Sequence, residues 1–307
     1  MAKKKVGVIA ECVCDLPHSI ISEYDIDIVY FLIQTDTGVF TDTDEITAEN
    51  MIGYMEAGGK KSKSSAPSVE VYIQAFKRKL ENYEEVFLPT IGSAISDSYA
   101  NATKAAGEMG DEGKHVHIFD TGHLSTGLGH MVICAAQLAK SGEGTEKITA
   151  ALSDLQGRVS TSFITRNTDY LYRNGLVSKT VKKLCGAFSA HPVLAMKNGN
   201  LTAETIKFGN YGKSCMRYIR RQLRKSVNID KTRAFITYAG VPSKHIEQIK
   251  EQVAKLGGFQ EIIVTKASAT VSSNCGPGTV GVLFIRNDYS VRSSGAVFKK
   301  LSSREKG

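Results

Sequence analysis

The residues best suited to chemistry in this sequence are hydroxyl side chains in a turn at residues 89–98. The turn contains Ser93 and Ser96 and follows an apolar run at residues 86–88. The apolar run predicts a buried strand, and the alanine-rich run after the turn predicts a helix capped by Ser96 or Ser98. Ligands of open α/β sheets bind at the carboxyl ends of strands, where helix N–H groups favour an anion. The turn therefore predicts either an anion-binding site or only a helix cap.

Three more polar turns in the first 130 residues precede helix-like patterns, at residues 11–17, 60–68 and 120–127. Ser64 and Ser65 lie in the second of them, before an amphipathic pattern that predicts a helix. Four turns that lead into helices therefore carry Ser, Thr or Asp in this half of the chain.

The elements between these turns indicate a parallel sheet. The run at residues 26–33 is apolar and β-branched apart from Asp27, which predicts one strand buried in a parallel sheet. A helix is expected at residues 48–56, ended by two glycines.

The composition indicates a globular chain. Its 307 residues, 42% of them hydrophobic, suffice for one or two sizeable cores. There is no apolar run of about 18 residues and no signal-peptide pattern at the N-terminus. The six cysteines are scattered without a C-x-x-C pair. We therefore expect a cytoplasmic protein with reduced thiols.

The formal net charge of +8 raises the question of an anionic partner. Part of it lies at residues 216–227, where an apolar stripe alternates with Arg217, Arg220, Arg221 and Arg224 at helical spacing. This segment is either a solvated basic face or a docking surface for an acidic or phosphate-bearing partner. Nucleic acid is the weaker alternative, because aromatic interleaving and zinc-finger spacing are lacking.

Catalytic and metal motifs are not found in the sequence. A hydrolase would need an activated nucleophile, but no G-x-S-x-G motif occurs, and His123 and His191 are better explained as structural. Cys12 and Cys14 have no Cys/His cluster to complete a zinc site. We expect no metal, no cofactor and no catalysis.

The second half of the chain predicts a further α/β unit. Strands are expected at residues 159–165, in 186–208 around a tight turn, and at 234–239, 261–266 and 280–285, with a helix at 242–256. A helical pattern ends near Gly157, where we place the boundary. The predicted domains are residues 1–157 and 158–307, and the basic residues from 287 onward form a surface tail.

Six motifs occur in order along nearly the whole chain. They are Cys14-Asp15-Leu16-Pro17, Ser64-Ser65-Ala66-Pro67-Ser68, Gly92-Ser93-Ala94-Ile95-Ser96 with Tyr99, Asp120 with Ser125-Thr126-Gly127, Tyr170-Leu171 with Gly175, and Asn274-Cys275-Gly276-Pro277-Gly278. With these motifs the chain resembles the DegV family of bacterial fatty-acid-binding proteins.

The resemblance implies two α/β domains, a parallel sheet flanked by helices in the first and a smaller α/β second domain, with an apolar lipid tunnel between them. It implies a carrier that performs no chemistry and presents a long-chain fatty acid to a separate ATP-dependent fatty acid kinase. It places the carboxylate among hydroxyls and a residue of the C-terminal motif. The corresponding ligand-binding residues here are Ser64, Ser65, Ser93, Ser96, Asn274 and Gly276.

The chain departs from the family pattern at several of these positions. The family histidine is Asn274, a family arginine is Leu176, the first serine of a family pair is Gly92, and a family glycine is Asp97. An amide can donate a hydrogen bond to a carboxylate but cannot carry a charge. A different acyl ligand, a small carboxylate, or a regulatory role for a basic protein are the alternatives.

Affinity for an acyl chain can come from burial alone. About 16 carbons at roughly 0.8 kcal/mol per methylene supply on the order of 10 kcal/mol. The head group then needs only neutral donors to avoid being buried unpaired.

Overall fold

The computed structural model describes residues 3–42, 45–59, 62–179, 181–183, 189–225 and 228–288. It is a mixed α/β protein, as the sequence predicts. The elements of the first half are β1 Lys4–Glu11, α1 His18–Glu23, β2 Asp27–Val29, β3 Leu32–Gln34, β4 Val39–Thr41, α2 Ala48–Glu56, β5 Lys63–Ser65, α3 Val69–Leu80, β6 Tyr83–Thr90, α4 Ser98–Glu108, β7 Val116–Asp120, α5 Ser125–Lys140 and α6 Thr145–Gln156. Those of the second half are β8 Val159–Ser160, β9 Ser162–Ile164, α7 Asp169–Arg173, β10 Ala190–Lys197, β11 Asn200–Phe208, α8 Tyr211–Lys225, β12 Ile229–Ala239, α9 Ser243–Gly257, β13 Glu261–Lys266, α10 Ala269–Cys275 and β14 Thr279–Arg286.

A four-stranded parallel sheet in the order β2-β1-β6-β7 organises the first half. Helices cover both faces, because successive side chains of its central strands point to opposite sides. Val86 and Leu88 of β6 pack with α3 and α4, whereas Phe87 packs with α5. This arrangement places the polar turns after β1, β6 and β7 at one edge of the sheet.

The prediction of one buried parallel strand at residues 26–33 is wrong. Strand β2 joins the parallel sheet, but β3 pairs antiparallel with β4 and β5 in a separate three-stranded sheet. Tyr30 and Leu32 are exposed and Ile33 is buried, so the apolar run conceals an alternation of inward and outward side chains. The predicted helix at 48–56 is confirmed as α2.

A second sheet is built from residues after 158, in the order β11-β10-β9-β14-β12-β13 with β8 beside β14. Its described strand pairs are antiparallel, except that β12 and β13 are parallel. Helices α8 and α9 pack on one of its faces. The division into domains at residue 157 stays a prediction.

The predicted basic helix begins at Tyr211 and is described to Lys225, whereas residues 226 and 227 lie outside the described residues, as does the predicted basic tail from residue 289. Ile219 and Leu223 of this helix are buried against the second sheet. The predicted apolar stripe is therefore its packing face.

Helix α5 lies between the two sheets and is buried along most of its length. Its residues pack on the parallel sheet on one side, and Ile133 contacts Phe235 and Leu283 of the second sheet on the other. Gly127 allows a close approach, because an added Cβ would lie 1.9 Å from Oγ1 of Thr161. The helix thus fixes the distance between the sheets.

Candidate functional site

A cavity of about 620 Å³ opens between the small three-stranded sheet, the turn after β6, α7 and α10. One part of its lining is polar and the other part is apolar. The polar lining residues are Lys63, Ser64, Ser65, Ser96, Asp97, Asn101, Arg173, Asn174, Thr270 and Asn274. The apolar lining residues include Val13, Phe31, Ile91, Ile95, Leu124, Phe163, Leu176, Leu201, Val271 and Cys275. Such a lining suits an amphipathic molecule with a polar head and an apolar body.

Ser64 and Asn274 meet at the polar end of this cavity. Nδ2 of Asn274 donates hydrogen bonds to Oγ of Ser64 at 3.1 Å and to the carbonyl oxygen of Thr270 at 2.8 Å. Ser64 is fixed by the pairing of β5 with β3 opposite Ile33. Two residues that the sequence assigned to one site therefore do come together.

Thr270 is a cavity residue that the sequence analysis missed. Its side chain is buried, and its Oγ1 atom has no hydrogen-bond partner among the described residues. A buried hydroxyl without a partner costs free energy, and rotation of the Thr270 side chain toward the cavity would let a ligand acceptor relieve that cost. Only the helical position of Thr270, one turn before Asn274, could have indicated it, and the sequence analysis did not predict helix α10.

Helix α10 is held against the first half of the chain by two buried carboxylates. Asp15 accepts from the backbone N–H of Ser268 at 2.8 Å, and Asp42 accepts from those of Ala269 and Thr270 at 3.0 and 2.8 Å. These bonds satisfy N–H groups that a helix start leaves without partners. They also fix Thr270 and Asn274 relative to Ser64.

Asp15, from the Asp-Leu-Pro motif, sits in an unusually apolar position for a carboxylate. Burial raises its pKa from 3.8 to about 7, although hydrogen bonds from Ser125 and Ser268 oppose that rise. Oγ of Ser125 donates to its Oδ2 at 2.5 Å. Ser125, the first residue of α5, therefore supports the carboxylate that holds α10, and it does not line the 620 Å³ cavity.

Glu11 holds the turn after β6 in place through a hydrogen bond. The backbone N–H of Ile91 donates to Oε2 of Glu11 at 2.7 Å, and the hydroxyl of Tyr72 donates to Oε1 at 2.6 Å. Glu11 is fully buried, and this burial raises its pKa from 4.5 to about 7. The turn is thereby held above the end of the strand, where Ser96 faces the cavity.

The predicted capping of α4 is wrong in its detail. The N-cap residue is Asp97, which makes no side-chain cap hydrogen bond, whereas Oγ of Ser96 accepts from the N–H of Ser98 at 3.2 Å. The hydroxyl of Ser96 also donates to that of Ser98 at 3.3 Å. Ser96 is thus a cavity residue with local hydrogen bonds.

The structure does not bring Ser93 or Gly276 to the cavity lining. Ser93 is exposed, and its hydroxyl and N–H both donate to the carboxylate of Asp120. Gly276 ends α10 at φ 81°, where an added Cβ would lie 2.3 Å from the ring of Tyr170. The positive φ and the close packing against Tyr170 explain why a glycine occupies this position. Roles of both residues in ligand binding stay predictions.

Among the described lining residues, three carry charged side chains at the polar end, and none of them was in the predicted site. Lys63 and Arg173 are exposed cations, and the guanidinium of Arg173 lies 5.7 Å from the centroid of the Tyr170 ring. Asp97 contributes a carboxylate on the side of the turn after β6. The field across the opening therefore favours an anionic head near Lys63 and Arg173 and disfavours it near Asp97.

The apolar end continues toward the interface between the sheets. A second, very small cavity shares Leu124, Phe163, Val271 and Cys275 with the first, and reaches Thr237 and Leu283 of the second sheet. A chain molecule with its head at Ser64 could extend past these four residues into the interior.

The two histidines considered for catalysis are buried and hold backbone groups. His123 contacts Oγ1 of Thr161 and the carbonyl oxygen of Gln156, both at 2.9 Å, and burial lowers its pKa to about 4. His191 lies between the carbonyl oxygens of Arg166 and Gly209. Within the described residues, no group of three His, Cys, Asp or Glu side chains is placed to hold a metal.

No helix in the described part of the chain has the length and hydropathy needed to cross a membrane.

Residues 5–287 match the family model described as "Uncharacterised protein, DegV family COG1307". A DegV domain-containing protein of Caldanaerobacter subterraneus subsp. tengcongensis is 25% identical over 284 residues, which is 92% of this chain and 99% of that protein.

Solved structures share the fold. One describes fatty acid binding of a DegV family protein from Thermus thermophilus, with a TM-score of 0.83, 23% identity and coverage of 92% of this chain and 99% of that one. Another is the fatty acid kinase (Fak) B3 protein of Streptococcus pneumoniae loaded with linoleic acid, with a TM-score of 0.79, 21% identity and coverage of 92% and 100%.

Proposed function

The chain belongs to the DegV family, and we propose that it binds one long-chain fatty acid in the 620 Å³ cavity. The observation that carries this proposal is the division of that cavity into a polar end around Ser64 and Asn274 and an apolar end around Phe163 and Val271. Its two kinds of lining match the two parts of a fatty acid. The fatty-acid ligands of the Thermus and pneumococcal relatives support the proposal.

The carboxylate is held by the hydroxyls of Ser64 and Thr270, and Asn274, whose amide donates to Oγ of Ser64, orients the first of them. The hydroxyl of Thr270 has no partner among the described residues, and it gains one from the carboxylate. Lys63 and Arg173 lie at the rim of the cavity. They compensate the negative charge of the carboxylate, which neutral donors do not neutralise. Ser65 and Ser96 complete the polar lining.

Arg173 offers an explanation for the missing family arginine. Leu176 occupies the position where the family has that arginine, and it lines the apolar part of the cavity. Arg173, three residues earlier at the end of α7, brings a guanidinium to the polar part of the same cavity. Arg173 thus supplies a positive charge near the head group.

The acyl chain runs from the polar end past Leu124 and Phe163 toward the small cavity beside the second sheet. Each buried methylene contributes about 0.8 kcal/mol. Long chains therefore bind more tightly than short ones until the interior is filled.

The protein acts as a cytoplasmic carrier, and a separate fatty acid kinase performs the chemistry. The support for this step is the pneumococcal relative, which is named as a fatty acid kinase protein. The rim at Lys63 and Arg173 leaves the carboxylate near solvent, as phosphorylation by a partner requires. No residue of the chain is assigned a catalytic role.

Native mass spectrometry of the protein purified from a bacterial host tests the binding. We expect one fatty acid of long chain length per protein, released on denaturation. A protein that carries no lipid and fails to take up a fatty acid added in solution would refute the proposal. Preferential binding of a short carboxylate would instead assign the cavity to a small ligand.

A second experiment tests the carrier role. The protein loaded with fatty acid is incubated with a fatty acid kinase catalytic subunit and ATP, and acyl phosphate is measured. We expect product only when protein, kinase and ATP are all present. Hydrolysis of acyl esters by the protein alone, lost on substitution of one serine, would contradict the absence of catalysis.

A further inference from the structure

A second, larger cavity lies on the other side of the second sheet. Its volume is about 1140 Å³, and it lies between the N-terminal halves of α8 and α9 and the ends of β10 and β11. It shares no described lining residue with the 620 Å³ cavity. A ligand here therefore does not contact the acyl chain.

The lining of this cavity carries a concentrated positive charge. Arg166, Lys213, Arg217 and Arg220 contribute four cations, and among its described lining residues there is no carboxylate. Cations gathered in one concave surface repel each other and raise the local concentration of anions. Arg233, by contrast, is paired with the carboxylate of Glu261. The unpaired cluster favours an anionic ligand.

His191 lines the same cavity. The ring is buried, with Nδ1 at 3.1 Å from the carbonyl oxygen of Arg166 and Nε2 at 2.9 Å from that of Gly209. These two contacts hold the ring at the wall of the cavity, next to the backbone of Arg166.

Tyr211 and Arg166 form a preorganised wall of the cavity. The Tyr211 hydroxyl donates to the carbonyl oxygen of Gly278, and the Arg166 guanidinium lies 5.1 Å from the centroid of its ring. The His191 ring packs edge-on against the same tyrosine at 5.0 Å. The Tyr211 ring is already in contact with Arg166 and His191. The wall therefore offers a positive charge and hydrogen-bond donors, and it leaves no free aromatic face on which a nucleobase could stack. A guanidinium fork matches the geometry of phosphate oxygens.

The spacing of the cations sets the size of the anion. Lys213, Arg217 and Arg220 follow one another at four and three residues on one face of α8, which spreads them over roughly 10 Å. Two linked phosphoryl groups reach more of this row of cations than one phosphate group does. We propose that this cavity binds a small anion with two or more linked phosphoryl groups, recognised through its phosphates.

Isothermal titration of the full chain with pyrophosphate at low ionic strength tests the proposal, with orthophosphate as the singly phosphorylated comparison. We expect saturable binding of pyrophosphate, tighter than that of orthophosphate and weakened by added salt. Lys213→Gln and Arg220→Gln should each weaken pyrophosphate binding by about threefold to tenfold.

Arg224→Gln is the matched control. It removes the same charge from an exposed position on the same helix, but Arg224 does not line the cavity. We expect it to change pyrophosphate affinity by less than about twofold. All three variants should bind fatty acid like the wild type. A failure of the phosphate-site proposal can therefore be distinguished from a failure of the proposed fatty-acid binding.

Four results would overturn the proposal. The absence of saturable pyrophosphate binding at millimolar concentration would exclude this ligand. An equal loss of pyrophosphate affinity in Arg224→Gln would show that only the net charge of the helix matters. Binding to phosphatidylglycerol vesicles that Lys213→Gln and Arg220→Gln abolish, without pyrophosphate binding, would assign the surface to a membrane. Tighter binding of a glutamate-rich peptide than of pyrophosphate would assign it to an acidic protein.

Discussion

Nδ2 of Asn274 donates a 3.1 Å hydrogen bond to Oγ of Ser64, across a separation of 210 positions in the sequence. The bond joins the helix α10 to the edge strand β5 and closes the polar end of the 620 Å³ cavity. Asp15 and Asp42, which hold the start of α10, keep the two residues in register. The head-group site therefore depends on contacts between the two halves of the chain.

Asn274→Asp should weaken fatty-acid binding by roughly tenfold to a hundredfold, because it replaces a donor with a second negative charge beside the carboxylate. The substitution keeps the shape of the side chain. Displacement of a fluorescent fatty acid at pH 8 measures the effect.

A fatty alcohol of the same chain length is the matched ligand for that variant. Since the alcohol is uncharged, Asn274→Asp should change its affinity much less. An equal loss for acid and alcohol would show that the substitution damages the cavity as a whole and would contradict the head-group assignment.

Thr270→Val should weaken fatty-acid binding by about tenfold and leave the ligand-free protein as stable as the wild type, or more stable. The hydroxyl has no partner among the described residues, so its replacement by a methyl group of the same shape removes an unsatisfied polar atom. Ligand titration and thermal unfolding without ligand measure the two effects.

Ser273→Ala is the control for Thr270→Val, since its buried hydroxyl bonds the carbonyl oxygen of Thr270 on the same helix but does not line the 620 Å³ cavity. It should lower stability with little effect on affinity. Unchanged affinity in Thr270→Val would place the carboxylate away from α10.

Ser93→Ala should bind fatty acid within about twofold of the wild type, whereas Ser64→Ala should lose roughly fivefold to tenfold. The hydroxyl of Ser93 is exposed and donates to Asp120, while Ser64 lines the cavity. Parallel titrations decide between them. A large loss in Ser93→Ala alone would place the head group at the turn after β6, beside Ser93.

The residues around the head group show how far the sequence could lead. The strand-turn-helix pattern at residues 83–108 could be predicted from apolar periodicity, and it places Ser96 at the cavity. The pairing of Ser64 with Asn274 followed only from the family resemblance, because no local pattern connects positions so far apart. Helix α10 was missed, since its seven residues are too few for a periodic pattern.

Other positions could not be predicted because they depend on tertiary contacts. Arg173 reaches the cavity from the short helix α7, whose location is set by packing on α10 and the second sheet. Residues 26–33 are apolar apart from Asp27, but their buried side chains belong to different hydrophobic clusters, Phe31 to one and Ile33 to another. The unpartnered hydroxyl of Thr270 is visible only once its surroundings are known.

Val271→Phe should shorten the acyl chain that the protein prefers. Val271 lines both the 620 Å³ cavity and the small cavity beyond it, so a larger ring would block the passage between them. Losing about two methylenes of burial costs roughly 1.6 kcal/mol, or about tenfold in affinity. Octadecanoate should therefore bind about tenfold more weakly and decanoate nearly as well as before.

Val271→Leu adds one carbon at the same position and serves as the graded control. It should affect octadecanoate less than Val271→Phe does. Equal losses for octadecanoate and decanoate in Val271→Phe would contradict the proposed path of the chain.

Glu11→Gln should flatten the pH dependence of stability between pH 5 and pH 8. Burial raises the pKa of Glu11 from 4.5 to about 7, so the folded protein holds a proton that the unfolded chain has released. Stability from this group is complete below the unfolded pKa and is lost as pH rises through about 7. At 1.36 kcal/mol per pKa unit, the wild type should lose about 2 to 3 kcal/mol from this group over the interval.

Urea unfolding at the two pH values measures the difference between the wild type and Glu11→Gln. Asp15, whose pKa burial also raises to about 7, is present in both proteins and contributes equally to both. Glu251→Gln, at an exposed position, is the control and should keep the full pH dependence. If Glu11→Gln has the same slope as the wild type, Glu11 is ionised throughout, and the hydrogen bonds from Tyr72 and Ile91 outweigh its burial.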